Sequence, residues 1–181
     1  MIRIETARLV LRTPNVRDLA GYLEYRNDPA ALAAQGMAIR DKEDAAAYLR
    51  SQAELPLQSG GWRMLAVEER CRQGIIGEVG VCIHTDRDEG DIGWWLNSAW
   101  QGRGLAVEAA RGLTEWCFTT GGLRRITAHC LAENAASLRV LERIGMRVEL
   151  RSIESRRIGD QWRNEVGGAL LRREWGGHAT S

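Results

Sequence analysis

The chain is poor in several things at once. Of its 25 basic side chains only Lys42 is a lysine, and there is one phenylalanine and three prolines. Basic and acidic residues nearly cancel, 25 against 24, for a formal net charge of +1. That balance lacks the basic excess of a nucleic-acid binder, so no nucleic-acid partner is expected. No apolar run approaches the roughly 18–20 residues that span a bilayer, so no membrane partner is expected either. Residues 1–6 carry charges in place of the apolar core of a signal peptide, and the expected location is the cytoplasm. Cys71, Cys82, Cys117 and Cys130 form no CxxC pair. This excludes the common metal-ligand spacing and gives no disulfide framework; buried thiols and no metal are the expectation.

What the sequence does have is periodic order. Arg8–Arg12 alternates charged and apolar residues and reads as a strand ended by Pro14. Asn15 with Asp18 is a capping-box pattern before a helix carrying Leu19, Tyr22 and Leu23. Asp41 starts a second helix with Ala45, Tyr48 and Leu49 on one face. Residues 62–68, 75–84 and 91–96 then form an antiparallel meander, with a polar hairpin loop over 85–90. A helix follows with Ala106, Ala109, Leu113 and Trp116 on one stripe, ended by Gly121-Gly122. Arg125–Leu131 is a strand, Asn134 opens a shorter helix that stops at Gly145, and two strands meet at Gly159-Asp160. The expected fold class is α+β, with a mixed, mostly antiparallel sheet flanked by helices, in one domain over 1–175 with a loose tail at 176–181. About seven strands are expected, with one parallel pairing where a helix crosses between strands.

The chemistry concentrates at Gln101-Gly102-Arg103-Gly104-Leu105-Ala106, between a strand and the strong helix. A helix start offers unbonded N–H groups and a positive dipole end, which suit a pyrophosphate. Gly102 and Gly104 allow close backbone approach, Ala106 keeps a third approach open, and the Arg103 charge is placed to reach a phosphate. A Walker A loop is excluded, because no Gly-Lys-Ser/Thr ends this segment. A dinucleotide-binding fingerprint lacks its third glycine and its opening strand–helix–strand unit. A plain strand-to-helix turn remains an alternative for the loop alone.

Gln101, Gly104 and Ala106 also match the (Gln/Arg)-x-x-Gly-x-(Gly/Ala) loop of the GNAT acetyltransferases. Glu5–Arg12 resembles the opening strand of their RimJ/RimL-like branch, and Ile75–Gly80 and Asp91–Leu96 resemble its third and fourth strands. Asn134–Met146 is similar to the second cofactor motif, with Met146 for the usual Phe, and 164–175 resembles the last strand. These matches run in family order over about residues 5–175. The resemblance implies the GNAT fold and acetyl-CoA as co-substrate, with no metal. It further implies an amine acceptor, either a protein or peptide N-terminus or a small amine, and a homodimer by family habit. It assigns the backbone of Trp94, Trp95 and Leu96 to the pantetheine arm. Gln101, Gly102, Arg103, Gly104, Leu105 and Ala106 would wrap the pyrophosphate. Asn134 would contact the arm from the far side, or simply cap its helix, and Ser137 would lie near the sulfur or pyrophosphate.

Catalytic roles are less directly marked. Where many family members have an acidic tyrosine this chain has Leu141, leaving Ser137 as the nearest hydroxyl by position. Asp91 and Glu78 are the candidate bases, with His84 behind them. A backbone N–H at Trp95 or Leu96 would stabilise the oxyanion. Covalent catalysis at Cys130 competes with simple burial of that thiol. Trp94 and Trp95, adjacent on a strand, must face opposite sides, one to the core and one toward the acceptor. Trp62, Trp116 and Trp162 are expected in the core. A non-catalytic CoA-binding module and a nucleotide-binding domain are the rival functions.

Overall fold

A computed structural model describes residues 2–29, 32–33, 37–56, 59–84 and 88–176. Its framework is an eight-stranded sheet. The strands are β1 (Arg3–Glu5), β2 (Leu9–Arg12), β3 (Gly61–Glu69), β4 (Ile75–Ile83), β5 (Glu89–Leu96), β6 (Arg125–Leu131), β7 (Arg147–Ile158) and β8 (Gln161–Leu171). They lie in the order β1-β2-β3-β4-β5-β6-β8-β7. Every pairing is antiparallel except β5–β6. The sequence expectation of seven strands missed β1, a short strand that folds back on β2 in the register Arg3↔Arg12. Three residues with a charge at each end carry too little alternation to be recognised alone.

The helices are α1 (Leu19–Arg26), α2 (Lys42–Glu54), α3 (Leu105–Thr119), α4 (Ala135–Arg143) and α5 (Arg172–Trp175). Their starts follow local chemistry. Asn15 and Asp18 form the capping box before a 3-10 turn (Val16–Asp18) that leads into α1. The Asp41 side chain accepts from the Asp44 N–H to cap α2. Gly122 and Gly145 take positive φ after α3 and α4, a conformation glycine adopts without steric cost.

The α3 and α4 side of the sheet holds the main core, where Leu105, Ala109, Leu113 and Cys117 of α3 pack on Val79, Ile92 and Ile126. Burying a leucine such as Leu113 is worth about 2 kcal/mol before packing. Tyr22 and Tyr25 of α1 with Ala45 and Leu49 of α2 form a smaller cluster that includes Ile75 and Trp95. Of the cysteines, Cys117 and Cys130 are buried, whereas Cys71 is exposed and Cys82 half-buried. Trp62 and Trp162 are not core residues: they are 48% and 57% exposed. Both lie on strands, where every second side chain turns to the sheet's other face, and sequence alone did not assign the face. Trp116 is partly buried against the main core, as expected. Of the 85–90 loop, residues 85–87 lie outside the described set, as does the tail beyond 176.

Candidate active site

Strands β5 and β6 part company soon after they meet. Their parallel pairing covers Glu89↔Arg125, Gly90↔Ile126 and Asp91↔Thr127 and then stops, although both strands continue. The direction of the backbone groups beyond that point follows from the outer ladders. His84 donates to the Glu89 carbonyl and Asn97 to the Ile76 carbonyl, with an unbroken β4–β5 register between them. Glu89, Asp91, Gly93 and Trp95 therefore turn their N–H and C=O groups to β4, and Ile92, Trp94 and Leu96 turn theirs toward β6. On β6, Arg172 donates to the Arg124 carbonyl and Ala132 to Asn164. By the same alternation His129 and Leu131 face the gap. Two strand edges thus open on a cleft that an extended polar chain can enter as an added strand.

Gln101 closes the far end, its Nε2 donating to the Leu96 carbonyl at 3.1 Å. The next residues lead into α3. Gly102 and Gly104 have φ of +76° and +74°, and no side chain caps the helix at Gly104. The first intrahelical bond runs from Glu108 N–H to the Gly104 carbonyl, so the N–H groups of Leu105, Ala106 and Val107 precede the ladder. They point out of the helix start beside the cleft mouth.

The loop is braced from the chain's beginning. Glu108 accepts from the Thr6 hydroxyl, the Arg8 N–H and Arg8 Nε, all at 2.6 Å. Arg8 also donates to the Arg103 carbonyl at 3.0 Å. Burial works against the Glu108 charge, but these donors outweigh it and hold the carboxyl below its usual range. The opening motif, read earlier only as a strand, is what ties the loop to α3. The Arg103 side chain is engaged elsewhere: it pairs with Glu69 at 3.0 Å and lies 4.7 Å over Trp100. The guanidinium lies beside the loop at its surface, 48% exposed.

Side chains on β5 divide between the two faces. Trp94 packs on the main core and Trp95 on the α1/α2 cluster, where Arg26 stacks on it at 4.6 Å. Trp95's backbone pairs with Glu78 of β4, so the cleft-facing donors are Ile92, Trp94 and Leu96 rather than Trp95. On the α1/α2 face, Gly80 and Gly93 sit opposite each other. Met64 covers Gly80, and the Trp62 ring lies 3.5 Å from where a Gly93 side chain would begin. Glycine at both positions lets Met64 and the exposed Trp62 indole lie against the strands.

The model of the acetyltransferase (GNAT) domain matches residues 8–147. The chain belongs to the GNAT acetyltransferase family. It is 29% identical over 174 residues to the uncharacterized N-acetyltransferase YnaD of Bacillus subtilis, covering 96% of this chain and 99% of that protein. It is 31% identical over 84 residues to the ribosomal protein uS5-alanine N-acetyltransferase of Escherichia coli, covering 46% of this chain and 43% of that one. Among solved structures, a GNAT-family acetyltransferase from Bacillus anthracis superposes with a TM-score of 0.86 at 25% identity, over 96% of this chain and all (100%) of that one. RimL, a ribosomal L7/L12 α-N-protein acetyltransferase in complex with coenzyme A, superposes with a TM-score of 0.82 at 18% identity, over 94% and 98%. The protein is an acetyl-CoA-dependent N-acetyltransferase of RimJ/RimL-like type.

The residues considered for catalysis fall in different surroundings in this acetyltransferase. Glu78 is 5% exposed and lies 3.5 Å from Arg26. Burial pushes its carboxyl up, against the pull of Arg26, a hydrogen bond from Tyr25 and the charge of Arg40. Asp91 sits where the strands diverge, with Oδ1 accepting from Thr127 and Oδ2 2.9 Å from His84 Nε2. Its burial opposes charge, yet the Thr127 and His84 hydrogen bonds and the nearby His84 and His129 hold it below the ordinary carboxylate range. Both oxygens are committed and its basicity is low, which fits an orienting role better than proton abstraction.

Asn134 caps α4, its Oδ1 accepting from the Ser137 N–H at 3.0 Å. Ser137 is partly exposed beside it. Leu141 is buried in the main core, so no hydroxyl replaces the missing phenol at that position. Cys130 points into the same core, and burial followed by the Glu165 charge raises its thiol, the opposite of an activated nucleophile. A groove of about 960 Å³ runs between β1 and α3, past Arg8, Arg103, Gly104, Arg111 and Arg143. Sequence reasoning missed the β6 edge at His129 and Leu131, because nothing in a seven-residue strand marks where its partner leaves it.

Proposed function

We propose that this enzyme acetylates the α-amine of a protein or peptide N-terminus by direct attack on acetyl-CoA in a ternary complex. The observation that carries the reading is the end of β5–β6 pairing at Asp91↔Thr127. The pantetheine arm enters there as a strand between Ile92–Leu96 and His129–Leu131. Its diphosphate meets the N–H groups of Gly102 to Val107, and the thioester oxygen meets a cleft-facing N–H of β5. Acetyl-CoA supplies the activated acyl group; the chain positions it and leaves the α1/α2 face open to the acceptor.

Two arguments favour an α-amine. The Escherichia coli relative is named for alanine of a ribosomal protein. In addition, an α-amine is roughly 10–15% neutral at pH 7, against far below 0.1% for a lysine side chain. No strongly basic group is required of the site. Titration calorimetry with acetyl-CoA, followed by mass spectrometry on N-terminal peptides, polyamines and aminoglycosides, tests the reading. Acetylation of peptides beginning with a small residue is the expected result. Turnover confined to polyamines or aminoglycosides would move the assignment to small amines, and binding without any turnover would make the protein a CoA-binding module.

A further inference from the structure

The two edges of the sheet are unlike. β7 is long but broken by register shifts at Val148/Leu150 and Ser152/Arg156, the kind of irregularity that keeps an edge from pairing. β1, at the other edge, is short and regular. Thr13 donates to the Ile2 carbonyl and Thr6 to the Leu9 carbonyl, so Ile2, Ile4 and Thr6 turn their backbone groups to β2. The N–H and C=O groups of Arg3 and Glu5 therefore point out of the sheet. The side chains of these two residues share one face, 2.9 Å apart and 58% and 47% exposed. Ile4, between them, turns to the other face and packs on the main core.

That edge is its own complement. An antiparallel strand centred on Ile4 sets Arg3 against the partner's Glu5 and Glu5 against the partner's Arg3. Every outward backbone group of the two residues is then paired, and each charge meets its opposite across the strands. The helix beside β1 carries the same symmetry. A side chain at Gly112 would begin 3.6 Å from Ile4, so α3 passes the middle of the strand at that point. Arg111 and Glu115 stand about it, one turn apart and both exposed. Arg111 donates to the Arg143 carbonyl at 2.6 Å, and among the described residues no ion pair reaches Arg111 or Glu115. A two-fold axis at Ile4 runs α3 antiparallel to its copy, with Arg111 facing the partner's Glu115 and Glu115 facing the partner's Arg111.

We infer that the chain associates as a two-fold dimer through the edge of β1 and the outer flank of α3. One axis satisfies both charge patterns, as an isologous interface requires. The strand pairing sets the register, and the groove of about 960 Å³ between β1 and α3 receives the second copy's edge. Thr6 and Arg8, which brace the glycine loop through Glu108, border that groove, so the dimer and the loop share residues. The inference concerns association alone and is independent of the acceptor.

Sedimentation equilibrium with charge-reversed variants tests it. Wild type should sediment as a dimer at micromolar concentration. Arg111→Glu sets carboxylate against carboxylate across the axis, and Glu115→Arg sets guanidinium against guanidinium. Each alone should weaken self-association about 100-fold. Mixed in equal amounts, the two variants should associate at close to wild-type strength, because every reversed side chain then meets its opposite. Misfolding cannot produce that rescue. Amide hydrogen exchange at Arg3 and Glu5 gives a second readout that needs no substitution: protection should rise with protein concentration. Wild type that stays monomeric to millimolar concentration overturns the inference. A dimer that both single substitutions leave intact overturns it too, and places the interface on another surface. So does a mixture that associates no more tightly than its components.

Discussion

Helices α3 and α4 begin in opposite ways. At the start of α4, Asn134 folds its side chain over the Ser137 N–H, the usual way a helix satisfies its own first turn. At the start of α3 the capping position is Gly104 in a left-handed conformation, with no side chain to offer. Glycine at that position costs only roughly a few tenths of a kcal/mol relative to a side-chain cap, so the start stays open at little expense in stability. The lesson is that the longer helix, which carries much of the main core, leaves its first turn uncapped, as the proposed cofactor site requires, while the shorter one is closed on itself. The whole brace of Thr6, Arg8 and Glu108 serves the open start.

The sharpest way to break that contrast is to fill the open start. Gly104→Asp places a carboxylate where the phosphates belong, in space that is otherwise clear, a new side chain there meeting only Arg8 at 3.7 Å. Its expected effect is at least a 100-fold weaker acetyl-CoA affinity by calorimetry, with the fold retained by circular dichroism. Gly104→Val adds β-branched strain at φ +74° and should both weaken binding and lower Tm by several degrees in a thermal melt. Arg8→Ala frees Glu108 and the Arg103 carbonyl; the KM for acetyl-CoA should rise about tenfold in steady-state assays, a positional effect of the kind remote supports produce.

Smaller effects sharpen the comparison from the closed side. Asn134→Ala should cost about 1 kcal/mol in urea unfolding, and any accompanying rise in KM measures whether the same amide also meets the cofactor. Glu108→Gln should cost about 1–2 kcal/mol at pH 7. Because the folded Glu108 carboxyl is held below its ordinary 4.5, its stabilising contribution is full above that value and is lost as pH falls through the lower folded value. The gap between wild type and Glu108→Gln in urea melts should therefore narrow as pH falls below the ordinary carboxylate range.

Much of this was legible in the residues. The capping signals at Asn15, Asp41 and Asn134 located helix starts because a side-chain acceptor three residues from an apolar run has few other uses. The opposite facing of Trp94 and Trp95 follows from the two-residue period of a strand. What stayed hidden depends on partners distant in sequence. Alternation says that the backbone groups of Trp94 and Trp95 point opposite ways, but only the β4 and β6 registers say which faces the cleft. The pairing of Arg103 with Glu69 was not legible because the two lie 34 residues apart. Trp62 was expected in the core because nothing near it in sequence announces Gly93, the residue its ring lies over. Glu78 is an interior carboxylate only because α1 brings Arg26 and Tyr25 to it.

Amide hydrogen exchange with and without acetyl-CoA tests the central claim most directly, since it reads the backbone groups themselves. Protection rising in Ile92–Leu96, in His129–Leu131 and in Gly102–Val107 is the predicted result. Protection confined to the groove of residues 3–8 and 111–119, with the parted strands unchanged, would contradict it.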